Sequence, residues 1–415
     1  MKNVWIWNHY ASDFFFEKGF RHYYFAKYLK EAGYNPTIFC ASTLHYKGGA
    51  VDLGDKLYKD DVTDCGIPYV FIKTSDYKGN GFSRIKNMLR FAKNLKRVAK
   101  IKTAGEKPDV IYASSAHPFT CVIGILAAKK LKIPCIAEVR DLWPESIVAY
   151  KGTKKSNPII WAMYRLEKWI YKKADRLVFT MEGGADYICE KGWDKEIDMS
   201  KVTHINNGVD LQTFDDQAEE FKFDDSDLKN PDLFKVVYTG SVRVANGIDT
   251  ILDTAKYIEK ENPNIRFLIW GDGDELPRLQ QRVLEENISN ASFKGRVDKK
   301  YVASILRGAD ININVIVRDF FIFKYGGSQN KLFDYFASRK PIVSVIQMNY
   351  DLMLKYGAGI IARSHDPQVV ADAILKIAQM PSDEFEQMSA NARTAAQDHD
   401  YKVLTDKLIS ILEGL

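Results

Sequence analysis

Tyr325-Gly326-Gly327-Ser328-Gln329-Asn330-Lys331-Leu332-Phe333-Asp334-Tyr335-Phe336-Ala337-Ser338-Arg339-Lys340-Pro341, followed by the β-branched run Ile342-Val343-Ser344-Val345-Ile346, is the stretch on which the reading of the chain turns. Two glycines free the backbone, Ser328 is placed to cap, and a helix of about three turns is expected to end near Arg339 before a strand begins. Such a helix points bare N–H groups at whatever occupies the Gly326-Gly327 bend, which makes an anion site, and phosphate is the usual anion. Lys331 falls in the first turn and Asp334 one turn further along the same face, so a cation stands near the phosphate position and a carboxylate slightly beyond it. A diphosphate followed by a ribose would meet both. The plain alternative is an exposed ion pair between Lys331 and Asp334 on a surface helix, and these residues alone leave both readings open.

The flanking segments alternate strand and helix. Phe234 to Ser241 reads as a strand, a helix follows from about Ile248 to Lys260, and strand Arg266 to Trp270 runs into Gly271-Asp272-Gly273-Asp274-Glu275. That turn is read as helix-start carboxylates on a tight bend in preference to a metal-binding Asp-x-Asp. A short strand at Phe293-Lys294-Gly295-Arg296-Val297 and another at Ile311 to Val317 lead into the opening stretch.

The N-terminal half repeats the alternation. Strand Val4 to Trp7 is followed by a loop holding His9, Glu17, Lys18 and Gly19, a helix from roughly Phe20 to Ala32, and a strand near Pro36 to Cys40. Loops at strand carboxyl ends bind ligands in this architecture, which puts His9 and Gly19 at a binding edge; a histidine satisfied by local hydrogen bonds is the competing reading of His9. Asp109 to Tyr112 ends in Ser114-Ser115-Ala116-His117-Pro118, and strand Ile133 to Val139 ends in Arg140-Asp141-Leu142-Trp143-Pro144-Glu145-Ser146. Arg140 and Asp141 therefore sit where catalytic groups collect, unless they form a buried pair that braces the loop.

Between these strands, Phe82, Ile85, Met88, Leu89, Ala92, Leu95, Val98 and Ala99 recur at helical spacing from Phe82 to Lys102, interleaved with Lys and Arg and without an acidic residue. A basic amphipathic helix suits an anionic membrane surface, where each cation contributes ~1 kcal/mol. A solvated charged face and a nucleic-acid contact are the other readings, the last without any recognition motif.

At 415 residues the chain suits two domains. The turn-rich Asn206-Asn207-Gly208-Val209-Asp210 marks the joint, giving domains of 1–205 and 206–397, with a final helix in about 398–415 packing back on the first. The expected class is α/β, two doubly wound halves with a cleft between them. Hydrophobic residues make up 46% and charged residues 27%, which excludes extensive disorder, and the net charge of +5 is mild. Cysteines 40, 65, 121, 135 and 189 contain no C-x-x-C pair, against a disulfide framework or zinc site and in favour of a reducing cytosol. No signal-peptide pattern opens the chain and no apolar run nears the ~20 residues of a spanning helix, so membrane contact is expected to be peripheral. P-loop, full G-x-G-x-x-G, G-x-S-x-G and H-E-x-x-H motifs are absent.

In order and spacing, Glu138 to Ser146, Asn207-Gly208-Val209-Asp210 with Phe214, Tyr238-Thr239-Gly240-Ser241, Gly271-Asp272-Gly273 with Lys294-Gly295-Arg296-Val297, and Asn330-Lys331-Leu332-Phe333-Asp334-Tyr335 resemble the family 4 glycosyltransferases over essentially the full chain. These are retaining enzymes of the GT-B fold, with two Rossmann-like domains. The D-L-W-P and N-K-L-F-D-Y forms are similar to the branch that builds bacterial surface polysaccharide (capsule, O-antigen or exopolysaccharide) on a lipid carrier. The resemblance implies an acceptor-binding first domain and a nucleotide-sugar-binding second. Gly326, Gly327 and Lys331 would serve the donor phosphates and Asp334 the ribose, with Ser328, Asn330 and Leu332 in the same segment. Gly240, Ser241, Gly271 and Val297 would border the nucleotide. His9, Gly19, His117 and Arg140 would border the acceptor.

Three departures stand out. The family commonly carries two glutamates at the spacing of Gly326 and Asp334, and often Arg and Lys where this chain has Ser241 and Asn246, for which Arg243 is a substitute. Its cleft histidine has Asp141 as nearest counterpart, with His117 and His9 as other candidates. The implied activity is hexosyl or N-acetylhexosaminyl transfer from a nucleotide-sugar, a UDP-sugar foremost, to a lipid-linked saccharide at the cytoplasmic face of the plasma membrane. No metal or cofactor is implied, and Lys331, Arg243 and Asp141 are the catalytic candidates. The alternatives are a non-catalytic nucleotide-sugar-binding subunit and a sugar-nucleotide epimerase of the same fold.

Overall fold

Val4, Ile6 and Trp7 are fully enclosed and Trp5 nearly so, as a strand covered on both faces must be. In the computed structural model, which describes residues 1–45, 48–77, 79, 81–115, 117–318 and 320–415, this is β1 (Asn3–Trp7), inside an eight-stranded sheet. Ala116, in the polar loop expected after Tyr112, lies outside the described residues.

The first unit comprises Met1–Asn206 and Tyr401–Leu415. After β1 come α1 (Ser12–Glu17), α2 (Arg21–Glu31), β2 (Asn35–Ala41), β3 (Tyr58–Val62), β4 (Pro68–Ile72) and α3 (Phe82–Lys102). Then follow β5 (Val110–Ser114), α4 (Pro118–Leu131), β6 (Cys135–Val139), α5 (Glu145–Lys151), α6 (Pro158–Lys173), β7 (Arg176–Phe179), α7 (Gly184–Glu190) and β8 (Val202–His204). Sheet order is β3-β4-β2-β1-β5-β6-β7-β8, and only the β3–β4 pair is antiparallel. Sequence patterning missed that hairpin because the charge-rich β3 is an edge strand with little burial to impose a hydrophobic period. α3 packs on α4 and α4 on α6, while the C-terminal helix Tyr401–Glu413 packs on α2. The joint expected after 205 lies beside the Asn206/Asn207 division, and the returning helix expected in about 398–415 is Tyr401–Glu413.

α3 spans the range its periodicity predicts, but its apolar stripe divides. Met88, Ala92, Leu95, Val98 and Ala99 are buried within the unit, whereas Phe82, Ile85 and Leu89 face solvent. Among the described residues no helix is long and apolar enough to cross a membrane. All five cysteines are free thiols.

The second unit, Asn207–Asp400, carries a wholly parallel six-stranded sheet. Its elements are α8 (Leu211–Glu220), α9 (Ser226–Lys229), β9 (Phe234–Thr239), α10 (Ile248–Ile258), β10 (Ile265–Trp270), α11 (Leu276–Glu285) and β11 (Ala291–Gly295). Next come α12 (Val302–Gly308), β12 (Ile311–Asn314), α13 (Asn330–Ala337), β13 (Ile342–Ser344), α14 (Leu352–Tyr356), β14 (Gly359–Ile361), α15 (Pro367–Ala378) and α16 (Ser382–Asp398). The order β11-β10-β9-β12-β13-β14 brings the carboxyl ends of β9 and β12, the sheet's middle strands, side by side.

One polar cluster is sealed inside the first unit. Glu138 on β6 accepts from Arg21 Nε (2.5 Å), His22 Nε2 (2.8 Å), Tyr112 OH (2.6 Å) and Ser114 Oγ (2.6 Å), all fully buried. Burial alone would raise its pKa, but the charges of Arg21 and His22 outweigh it and hold the carboxyl well below its ordinary range. Arg21 also donates to the carbonyls of Ile205 (2.9 Å) and Asn206, fastening the end of the unit to its core. Glu138→Ala would leave the guanidinium buried and unpaired, and is expected to lower unfolding free energy by about 3–5 kcal/mol. Because the carboxylate is favoured only in the folded state, wild-type stability from this site should be present at neutral pH and decline as pH falls below about 4.5. Denaturant melts across pH, with and without the substitution, check both.

Candidate active site

In the second unit the ends of β9 and β10 approach so closely that a Cβ on Gly271 would stand 1.7 Å from the Gly240 carbonyl oxygen. With φ of 153° at Gly240 and 147° at Gly271 both positions require glycine. The Asp272 carboxylate accepts the Gly273 N–H at 2.8 Å, which fixes the expected tight turn.

α13 enters beside these loops. Lys331 reaches from its first turn across Tyr238, with Nζ 4.7 Å from the ring centre and 3.4 Å from the Val315 carbonyl oxygen. The side chain keeps a solvent-facing edge, yet the protein around it is dense enough to pull the ammonium pKa down to about 7. Asp334 is half-buried too, and burial raises its carboxyl to about 6 against the pull of Lys299. The two do not pair: the ammonium is turned toward Tyr238 and Val315, and the charged neighbour of Asp334 is Lys299. The exposed ion pair that competed with an anion site is therefore not formed.

Ser328 is not the cap expected of it. Its Oγ accepts the Asn207 N–H at 2.8 Å and its carbonyl accepts Asn207 Nδ2 at 2.7 Å, while the N-cap position belongs to Gln329 and no side chain caps α13. The Leu332 N–H donates to the Gln329 carbonyl at 3.2 Å, and the first turn begins without a side-chain cap. Gly326 bends the chain ahead of it with φ 83°, and Gln329 is fixed by Asn314 Nδ2 at 2.9 Å. Asn330 is exposed. The Leu332 side chain is part of the core, leaving only its backbone to face a ligand. Ser241 and Asn246, which stand where the family often has Arg and Lys, bond to each other at 3.1 Å, and Arg243 between them is exposed. Val297 is half-buried on the edge of the same core.

The first-unit candidates divide. Asp141 is exposed just past β6, and Arg140 is half-buried. The buried Arg-Asp brace is absent; the loop is held instead by the Arg140 N–H on Ser115 Oγ (3.0 Å) and Thr180 Oγ1 on the Arg140 carbonyl (3.2 Å). Gly19 is buried between Lys18 and Phe20, whose φ values of 48° and 72° kink the chain into α2. His9 and His117 do not border an open site: both are enclosed, and His9 Nδ1 meets His117 Nε2 at 2.7 Å. Burial keeps both rings neutral, His117 with a pKa of about 3. Each ring keeps one buried nitrogen without a hydrogen-bond partner among the described residues, His9 Nε2 and His117 Nδ1.

A model of Glycosyltransferase Family 4 matches residues 22–213, and one of Glycosyl transferases group 1 matches 234–380. The chain belongs to the family 4 glycosyltransferases. WbjE of Pseudomonas aeruginosa, a probable glycosyltransferase, is 22% identical over 285 residues, 68% of this chain and 69% of that one. In fold the chain is similar to a sucrose-phosphate synthase from Thermosynechococcus elongatus (TM-score 0.73, 14% identity, 100% of this chain and 99% of that one). It is also similar to HepE of Anabaena, solved in complex with UDP (TM-score 0.69, 13% identity, all of both chains). A family 4 glycosyltransferase of the GT-B fold, the protein carries its enzymatic class in both matched segments.

Two residues of consequence were quoted in motifs without a site role. Tyr238 is the floor under Lys331, and Asn207 holds the Gly327-Ser328 bend from a position far away in sequence, where no local pattern reveals it. Asn207→Ala is expected to leave the fold intact and to weaken nucleotide binding about tenfold, the effect of losing the side-chain hydrogen bond to the Ser328 carbonyl while the backbone N–H bond to Ser328 Oγ remains. Calorimetry of nucleoside diphosphate binding beside a thermal melt checks it.

Proposed function

We propose that the protein is a retaining glycosyltransferase that moves a sugar from a UDP-sugar to a hydroxyl of a lipid-linked saccharide, in bacterial surface-polysaccharide assembly at the inner face of the plasma membrane. One observation carries the donor half: a helix start without a side-chain cap, carrying a crowded Lys331 whose ammonium meets a tyrosine ring and a carbonyl instead of Asp334 one turn on. A diphosphate laid on α13 would take the N–H groups and restore the ammonium, and a ribose beyond it would meet Asp334. UDP is favoured by HepE, the relative in fold that was solved with that nucleotide. The lipid-linked acceptor is favoured by the D-L-W-P and N-K-L-F-D-Y forms.

In this reading negative charge grows on the leaving diphosphate as the glycosidic bond breaks, and Lys331 with the helix end stabilises it more than it stabilises the bound donor. The leaving phosphate oxygen takes the acceptor's proton on the same face, so no strong side-chain base is required. Asp141 and Arg140 orient the acceptor, Arg243 supplements the cations at the donor, and no metal takes part.

Release of nucleoside diphosphate from UDP-, GDP-, ADP- and dTDP-sugars, with and without membrane lipid extract, tests the proposal. UDP-sugar turnover stimulated by the extract is expected, and Lys331→Ala should lower it about 10²–10³-fold. Turnover with another donor only, or unaffected by Lys331→Ala, would overturn it. The lowered pKa adds a signature. Lys331 is charged in the free protein below about pH 7 and must regain its proton above it, so UDP affinity should fall by up to about tenfold per pH unit from about pH 7 to about pH 9. Lys331→Met should abolish that slope in calorimetric titrations.

A further inference from the structure

The layer α3–α4–α6 of the first unit turns an unusual face to solvent. α4, its middle helix, has no charged residue from Pro118 to Ala128, and its outward positions are apolar: Leu126 is 46% exposed, with Val122 and Ile123 half-buried. A helix on a wetted surface ordinarily turns charged residues outward. On one side of it α3 exposes Phe82, Ile85 and Leu89, and on the other α6 exposes Ile159 and Trp161, 71% and 61% accessible.

Cations border this apolar centre. Lys86, Arg90, Lys93 and Arg97 of α3 line, with Lys73 and, among the described residues, the single acid Asp55, a groove of about 640 Å³. Beyond the other flank Lys154 is exposed and Arg165 lies 5.7 Å over the Trp161 ring. The exposed apolar side chains of α6 and three of the four of α3 lie toward the helix N-termini, with Ile101, 49% exposed, at the far end of α3. Crossover helices start at the carboxyl edge of their sheet, the edge that carries Asp141.

We infer that this three-helix face rests on an anionic lipid bilayer, the apolar centre entering the headgroup boundary and the cations engaging lipid phosphates. The charge pattern selects that occupant. A second copy of the chain would bring two basic borders together, and a soluble polyanion has no use for exposed Leu126, Ile159 and Trp161. An aromatic and aliphatic centre with basic flanks is what the interfacial layer of a membrane accommodates. This deepens the proposed lipid-linked acceptor and rests on that reading: a bilayer against the face would deliver such an acceptor to the sheet edge where Asp141 stands. Sequence patterning singled out α3 alone, and the buried half of its stripe shows that α4 and α6 supply much of the surface.

Flotation of the full chain with phosphatidylcholine vesicles, with and without phosphatidylglycerol, tests the inference. Binding to the anionic vesicles only is expected. It should drop about tenfold in the double variant Leu126→Ser/Trp161→Ser and in Lys86→Glu/Arg90→Glu, with UDP binding and elution volume unchanged in both. No wild-type binding, equal binding to neutral vesicles, or variants that float like the wild type would each overturn it. So would a wild-type dimer that Leu126→Ser/Trp161→Ser dissociates. The two proposals fail separately. Vesicle binding without transfer to any lipid-linked acceptor removes the acceptor and leaves the surface, and transfer to such an acceptor without vesicle binding does the opposite.

Discussion

A lysine ammonium crowded against a tyrosine ring, at the start of a helix that no side chain caps, is an incomplete electrostatic arrangement. Lys331 pays for its place with a pKa near 7, and its own helix offers no relief, because Asp334 answers to Lys299 instead. Such a group is held in position by its surroundings and completed by an anion. The rest of the second unit can be read as what makes that position possible. Gly240 and Gly271 let two strand ends touch, Tyr238 forms the floor, and Asn207 with Asn314 fixes the bend before α13.

Consecutive residues at the joint serve two cores. The Asn206 carbonyl accepts from Arg21, which is itself held by Glu138 inside the first unit, whereas the Asn207 N–H and side-chain amide hold Ser328 in the second. Glu138 lies two residues before Arg140 in the same strand end, so the cluster that stabilises the first unit also sets where Arg140 and Asp141 emerge.

What the sequence made legible follows from locality. The helix Phe82–Lys102 was readable because helical periodicity is a property of neighbours, and the glycines after β9 and β10 because close backbone approach leaves a residue-type signature. The charge-rich edge strand β3 lacked that signature. Ser328 could be assigned a local cap but not its partner Asn207, and nothing near His9 or His117 in the sequence announces that each is the other's hydrogen-bond partner. Leu332 illustrates the same limit: its place in the motif was visible, but the core that takes its side chain comes from distant segments. Ser241 and Asn246 stand out in the sequence as departures, and their mutual hydrogen bond shows a loop that closes on itself where the family often has Arg and Lys.

The central claim is that α13 and Lys331 form the seat of a donor diphosphate. A crystal structure of the protein with UDP tests it most directly. The account predicts phosphate oxygens within about 3 Å of N–H groups at the start of α13 and of Lys331 Nζ, and ribose hydroxyls on Asp334. UDP bound elsewhere, with Lys331 still turned to Tyr238 and Val315, would contradict it.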